Sequence, residues 1–235
     1  MDKRRVNCQP FVAVLVALRH NQTMEHGFWH ERWQKNEIGF HEAHTHEMLE
    51  AHWPDSAYAS MDDVLVPLCG KSLDMRWLAQ RGHGVIGSEL SEIAVRDFFA
   101  TVGLTPEVTD HDGLQQFASE AYRIWCGDFF QLGATQLSPA RLFYDRASLV
   151  ALPQSMRQDY ARHLLSLLAH GARGLLITLQ YDDEALKGPP FSVSLEQIDA
   201  LFGRDCIVDH LEHSAATVKG RFEVQQTATR LVLRR

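Results

Sequence analysis

Glu89, Asp128 and Arg146 stand out by residue type and position. Each comes at or just past the end of a short apolar run, where a parallel strand would finish and where open α/β sheets bind their ligands. Glu89 lies 19 residues beyond Gly70. An acidic side chain about 20 residues past the glycine turn accepts hydrogen bonds from ribose hydroxyls. The plain alternative is a solvated carboxylate ahead of a helix starting at Ser91-Glu92. Asp128, in Gly127-Asp128-Phe129-Phe130, can accept from an amino group such as that of adenine, and Phe129 can pack on the ring. By itself Phe129 reads as core. Arg146 can clamp a carboxylate or stabilise an anion, or it can pair with Asp145 at the surface.

The elements that must position these residues begin at Val64–Met75, VLVPLCGKSLDM. Val64, Leu65, Val66 and Leu68 form an apolar run short enough for one parallel strand. Gly70 permits a sharp turn and a close ligand approach. Ser72 can cap a helix whose apolar positions are Leu73, Trp77 and Leu78. The turn after this run carries no G-x-G-x-x-G, and no glycine occupies the first P-loop position ahead of Gly70-Lys71-Ser72, so a pyrophosphate cradle is poorly supported and a ligand without phosphates fits better. Further strands are predicted at His83–Leu90, Ala121–Cys126, Arg141–Asp145 and Leu175–Tyr181. Cys206–Leu211 and Thr229–Leu233 read as an antiparallel pair at the sheet edge. Helices are expected over Ser91–Val102, stopped by Gly103, over Ser155–Ala169, closed by Gly171 and Gly174, and over Leu195–Phe202. Thr105–Glu120 reads as a polar loop with a short strand near Glu107–Thr109. Gly188-Pro189-Pro190-Phe191 is a rigid loop outside the sheet. The expected fold class is α/β.

The 235 residues are most simply one domain with a full core. A net charge of −7 argues against nucleic acid or an anionic membrane as partner. Cys8, Cys69, Cys126 and Cys206 lack C-x-x-C spacing, which suggests a reducing, cytoplasmic setting without a zinc site. No apolar run reaches 18 residues. In residues 1–23, basic Lys3-Arg4-Arg5 precedes apolar Phe11–Leu18, as in a signal peptide. Arg19-His20-Asn21-Gln22 follows without a small-residue cleavage site. An extension outside the fold is expected, with Met24 as working start. His41, His44, His46 and His52 do not form H-E-x-x-H, and they read as a solvated polar helix face, not a metal site. Trp29 and Trp33 share one face of an amphipathic helix.

VPLCGKSLDM, GSELSE, WCGDFF, YDRASLVALP and GPPF, with FWHERW and GFH upstream, occur in that order. This combination resembles the thiopurine S-methyltransferase family from about Phe28 to Leu233. The resemblance implies a Rossmann-like methyltransferase fold over residues 24–235. A mostly parallel seven-stranded sheet would carry helices on both faces and an N-terminal segment as cover. It implies S-adenosylmethionine as methyl donor, no metal, and a small-molecule thiol substrate; a monomer is expected. Donor contacts are implied at Trp33, Leu68, Glu89, Asp128, Phe129 and Arg146, and substrate contacts at Phe40 and Arg146. The family often carries a further arginine between the last two strands. Here the equivalent position falls on Gly220, between Lys219 and Arg221, and Arg221 is the candidate.

The implied reaction is in-line displacement at a sulfonium methyl carbon by a thiolate. Aromatic thiols ionise readily, so no strong general base is required. Arg146, with Arg221 as the second candidate, would favour the anion. Cys69 lacks a histidine partner in its motif and reads as a packed residue. Methylation of selenium or tellurium species, or of thiocyanate or halide, is a neighbouring reading, and a nucleotide-binding module without catalysis is another. A dehydrogenase is least supported, because the turn between the first strand and its helix lacks the dinucleotide fingerprint.

Overall fold

A computed structural model describes residues 26–53, 62–182, 186, 188–218, 220 and 222–234. The expectations for residues 1–23, Lys219 and Arg221 lie outside them. The chain divides into two compact units, Met1–Ile38 and Gly39–Arg235. The described part of the first carries helix α1, residues 26–34. On it Phe28 and Trp29 meet edge to face, Glu31 pairs with Lys35 one turn on, and Trp33 is buried.

The second unit is built on a nine-stranded sheet. Its elements run α2 (Glu47–His52), β1 (Val64–Val66), α3 (Asp74–Gln80), β2 (Val85–Glu89), α4 (Glu92–Val102), β3 (Glu107–His111), β4 (Leu114–Ser119), β5 (Tyr122–Cys126), β6 (Ala140–Arg146), α5 (Gln154–Ser166), β7 (Leu168–Gln180), α6 (Leu195–Phe202), β8 (Cys206–Val218) and β9 (Phe222–Leu233). The order across the sheet is β3-β4-β5-β2-β1-β6-β7-β9-β8. From β5 to β7 all pairs are parallel. The outer pairs are antiparallel.

The sheet alternates its side chains between two apolar cores. On β6, Phe143 joins Tyr160, Leu164 and Phe202 on the α5/α6 side. Its neighbour Tyr144 joins Met75, Leu78 and Phe98 on the α3/α4 side. The order of the strands reverses at β1, with β2 and then β5 laid down on one side and β6 and then β7 on the other. The carboxyl ends of these strands therefore splay apart there.

Nine strands replace the expected seven. The polar segment before β5 is a hairpin of β3 and β4, with Asp112 and Gly113 both at positive φ. All of β3 is exposed, so burial imposes no apolar pattern on it. The Asp-Gly pair was the available signal, since a two-residue turn of that type suits the twist of a hairpin. Gly171 and Gly174 do not close α5. They lie inside β7, which pairs Leu168 with Ala140 and then jumps register to pair Arg173 with Leu142. Gly171 takes φ +69 at the jump, and a Cβ on Gly174 would come within 2.2 Å of the Phe143 ring. Ser72 sits one residue ahead of the cap position of α3, its hydroxyl accepting the Asp74 N–H at 3.2 Å. Of the histidines expected to be solvated, His46 is buried and caps α2, its Nδ1 accepting the Met48 N–H. Among the described residues no helix is long and apolar enough to cross a membrane.

Candidate cofactor and substrate site

The turn after β1 is held in a conformation that few side chains adopt. Leu68 has φ +45 and Gly70 φ +53. The Cys69 N–H donates to the Ser88 carbonyl at 2.8 Å, so the turn is pinned against the end of β2. Gly87 on β2 lies so close that a Cβ there would meet the Cys69 sulfur at 2.8 Å. Burial pushes the Cys69 thiol well above its ordinary value, aided by the nearby Glu89 charge. It stays protonated and is a packed residue, not a nucleophile.

Glu89 is the centre of the arrangement. Its Oε2 accepts the Gly70 N–H at 2.8 Å and its Oε1 accepts the Ser91 N–H at 2.7 Å. Its carbonyl accepts the Gly127 N–H at 2.9 Å. One residue thus joins the β1 turn, the start of α4 and the end of β5. Glu89 is 6% exposed, so it is not the solvated carboxylate of the plain alternative. Burial lifts its pKa from 4.5 to about 7, outweighing the backbone N–H donors that oppose the rise. A carboxylate offers about four lone-pair sites. The two N–H groups leave acceptor capacity for hydroxyl donors.

Asp128 follows β5 and is half-buried; its Oδ1 accepts the Phe130 N–H at 3.0 Å and caps a short 3₁₀ turn. Phe129 lies in the core, its ring 5.5 Å from that of Tyr160 and 5.0 Å from that of His163. Its carbonyl is engaged by His163 Nε2 at 2.9 Å.

Arg146 ends β6. It does not pair with Asp145. Asp145 is fully buried and accepts the Tyr160 hydroxyl at 2.7 Å and the Ser148 N–H at 3.1 Å. Ser148 in turn donates to the Pro67 carbonyl at 2.7 Å, tying the loop after β6 to the turn after β1. Ala147, at φ +100, carries the chain over this network. Arg146 instead meets Glu42, Nη2 to Oε1 at 2.6 Å. Burial disfavours its charge, but Glu42 and Asp74 outweigh that and hold the guanidinium firmly protonated.

Sequence reasoning missed Glu42 and the group behind it. Asp74 Oδ1 accepts the His46 N–H at 2.9 Å, and Oδ2 accepts the Tyr144 hydroxyl at 3.0 Å. His46 Nδ1 accepts the Met48 N–H, and its Nε2 lies against the Gln226 side-chain amide on β9. Burial holds His46 below its ordinary value. Glu42 lies in a run of polar residues and carries no sequence signal. Asp74 carries a weak one, as a charge opening a helix with an apolar stripe.

The structure therefore brings Leu68, Glu89, Asp128 and Arg146 to the carboxyl ends of β1, β2, β5 and β6. Phe40 is half-buried and two residues from Glu42. Trp33 belongs to the other unit, and Arg221 lies outside the described residues.

A parallel sheet reversing at β1, with an acceptor on β2 and no phosphate loop, defines an S-adenosylmethionine-dependent methyltransferase fold. Solved structures bear this out. A SAM-dependent methyltransferase from Anabaena variabilis aligns with a TM-score of 0.63 at 13% identity, over 89% of this chain and 95% of that one. The 1,6-didemethyltoxoflavin-N1-methyltransferase of Burkholderia thailandensis, solved with S-adenosylhomocysteine, aligns with a TM-score of 0.59 at 13% identity, over 98% and 93%. The family model for thiopurine S-methyltransferase matches residues 24–233. The thiopurine S-methyltransferase of Pseudomonas fluorescens (strain Pf0-1) is 45% identical over 88% of this chain and 95% of its own. The chain belongs to the thiopurine S-methyltransferase family.

Proposed function

We propose that this protein transfers the methyl group of S-adenosylmethionine to the sulfur of thiopurines and other aromatic or heterocyclic thiols, acting as a cytoplasmic monomer and releasing S-adenosylhomocysteine. The observation that carries this reading is the buried Glu89 carboxylate, placed at the reversal point of the sheet in a chain of this family. It bridges the glycine turn and α4 and keeps acceptor sites in reserve.

When bound, S-adenosylmethionine supplies an electrophilic methyl carbon on a sulfonium sulfur. Glu89 accepts hydrogen bonds from its ribose hydroxyls, and Asp128 accepts from its adenine amino group. Leu68 and Phe129 supply apolar contacts. Arg146 faces the methionyl carboxylate or the substrate anion. Phe40 offers a flat face to a planar substrate. The chain holds sulfur and methyl in line, an effect that can supply about 7–11 kcal/mol at best. An already ionised thiol needs no base from the protein.

Calorimetric titration with S-adenosylmethionine, followed by 6-mercaptopurine and mass analysis of the product, tests this. Donor binding with S-methylated product is expected. Donor binding without transfer would overturn the thiol reading and direct attention to selenium, tellurium or thiocyanate acceptors. Absence of donor binding would overturn both steps.

A further inference from the structure

Two carboxylates act on Arg146, and they differ in kind. Asp74 is 2% exposed with both oxygens committed, one to the His46 N–H and one to the Tyr144 hydroxyl. It is a fixed group, tied into α3, β6 and the segment ahead of α2. Glu42 has a side chain 45% exposed and belongs to an irregular stretch between residues 39 and 46. Among the described residues its one ionic or hydrogen-bonded partner is Arg146. The Arg146 side chain is only 13% exposed, so Glu42 lies over the outer side of a guanidinium that is otherwise enclosed. The neighbouring cation Lys71 pairs with Asp97 at 3.0 Å.

We propose that Glu42 is an exchangeable counter-ion, occupying the anion seat of Arg146 until the sulfur anion of the substrate displaces it, so that the pair selects ionised over un-ionised thiols. This rests on the reading of Arg146 as a residue that faces the substrate. The exchange swaps one anion for another and leaves the charge near Asp74 unchanged. Glu42 swings into water, where a carboxylate is well solvated, and the incoming anion takes its place against the enclosed guanidinium. An un-ionised thiol cannot drive the exchange, because it brings no charge to replace the one removed. Glu42 is thus a specificity-determining residue.

The full chain is titrated with sodium thiocyanate, a soft sulfur anion, at constant ionic strength. The Arg146 Nε–H signal is followed by NMR and assigned by its loss in Arg146→Lys. Glu42→Gln is expected to bind thiocyanate about three- to ten-fold more tightly than the parent chain. Glu42→Asp, whose shorter side chain reaches Arg146 poorly, is expected to shift the same way. In a second arm with S-adenosylhomocysteine present, Glu42→Gln should tighten ionised 6-mercaptopurine by a similar factor and leave neutral 6-(methylthio)purine within about two-fold. Unchanged thiocyanate affinity in both variants would overturn the proposal, as would equal shifts for both purines. Tighter thiocyanate binding in a chain that does not methylate 6-mercaptopurine would support the exchange and sink only the thiol reading.

Discussion

The donor should bind Glu89 in its ionised form, which makes donor affinity a function of pH. Burial places the Glu89 pKa at about 7 in the free protein. At pH 6 roughly one-eleventh of the molecules then carry the carboxylate, and at pH 8 roughly ten-elevenths. Apparent affinity scales with the competent fraction. S-adenosylhomocysteine should therefore bind about ten-fold more tightly at pH 8 than at pH 6. Glu89→Gln cannot titrate, so its affinity should be weaker and should lose this slope, leaving only the slope from the ligand's own groups. The sign for stability is opposite. Between 4.5 and about 7 the folded state binds more protons at this site than the unfolded chain. Folding is then penalised increasingly as pH rises through that window, to about 3 kcal/mol above pH 7. Chemical denaturation of both chains at pH 5 and pH 8 should show the stability difference moving by about that amount in favour of glutamine at the higher pH. Donor affinity flat from pH 6 to 8, or an equal slope in both chains, would refute the reasoning.

Gly174→Ala should destabilise the protein by about 1–3 kcal/mol, because the new methyl enters the Phe143 ring in a packed core. Thermal melting checks it, and an unchanged midpoint would mean that β6 and β7 separate more easily than their packing indicates. Tyr160→Phe removes a donor from buried Asp145 and should cost about 1–3 kcal/mol. Turnover should fall as well, since Asp145 anchors the loop after Arg146, and loss of stability with full turnover would detach that loop from the site. Arg146→Ala should lower kcat/KM by about 10- to 100-fold. A parallel loss of donor affinity would assign Arg146 to the donor carboxylate, and normal values for both would remove it from the site. Removal of residues 1–23 should leave a folded, active enzyme, and loss of activity would place that stretch in the domain.

Much of the site was legible because its signals are local. A glycine turn after an apolar run, an acid 19 residues on and a charge directly after each further strand depend on chain geometry alone. Where burial does not impose a pattern, such legibility fails. β3 is exposed throughout and β8 is an edge strand with few buried residues, so neither shows an apolar run over its full length. Gly171 and Gly174 resembled helix terminators, because a glycine required by a register jump or a neighbouring ring looks the same in the sequence as one that ends a helix.

The sequence by itself carried the motifs that mark the family, the succession of the central strands along the chain and the residues at their carboxyl ends, since each of these is written within a short segment. Only the tertiary structure decided which charges meet. Arg146 was free to pair with its neighbour Asp145, yet the sheet turns Asp145 inward to Tyr160 and leaves Arg146 to Glu42, more than 100 residues earlier in the chain. Likewise Asp74, His46 and Gln226 become one buried network because α2 and α3 pack on the face of the sheet to which β9 turns Gln226. Burial raises the cost of an unpaired charge, and it is a property of the assembled fold and not of any local stretch of residues.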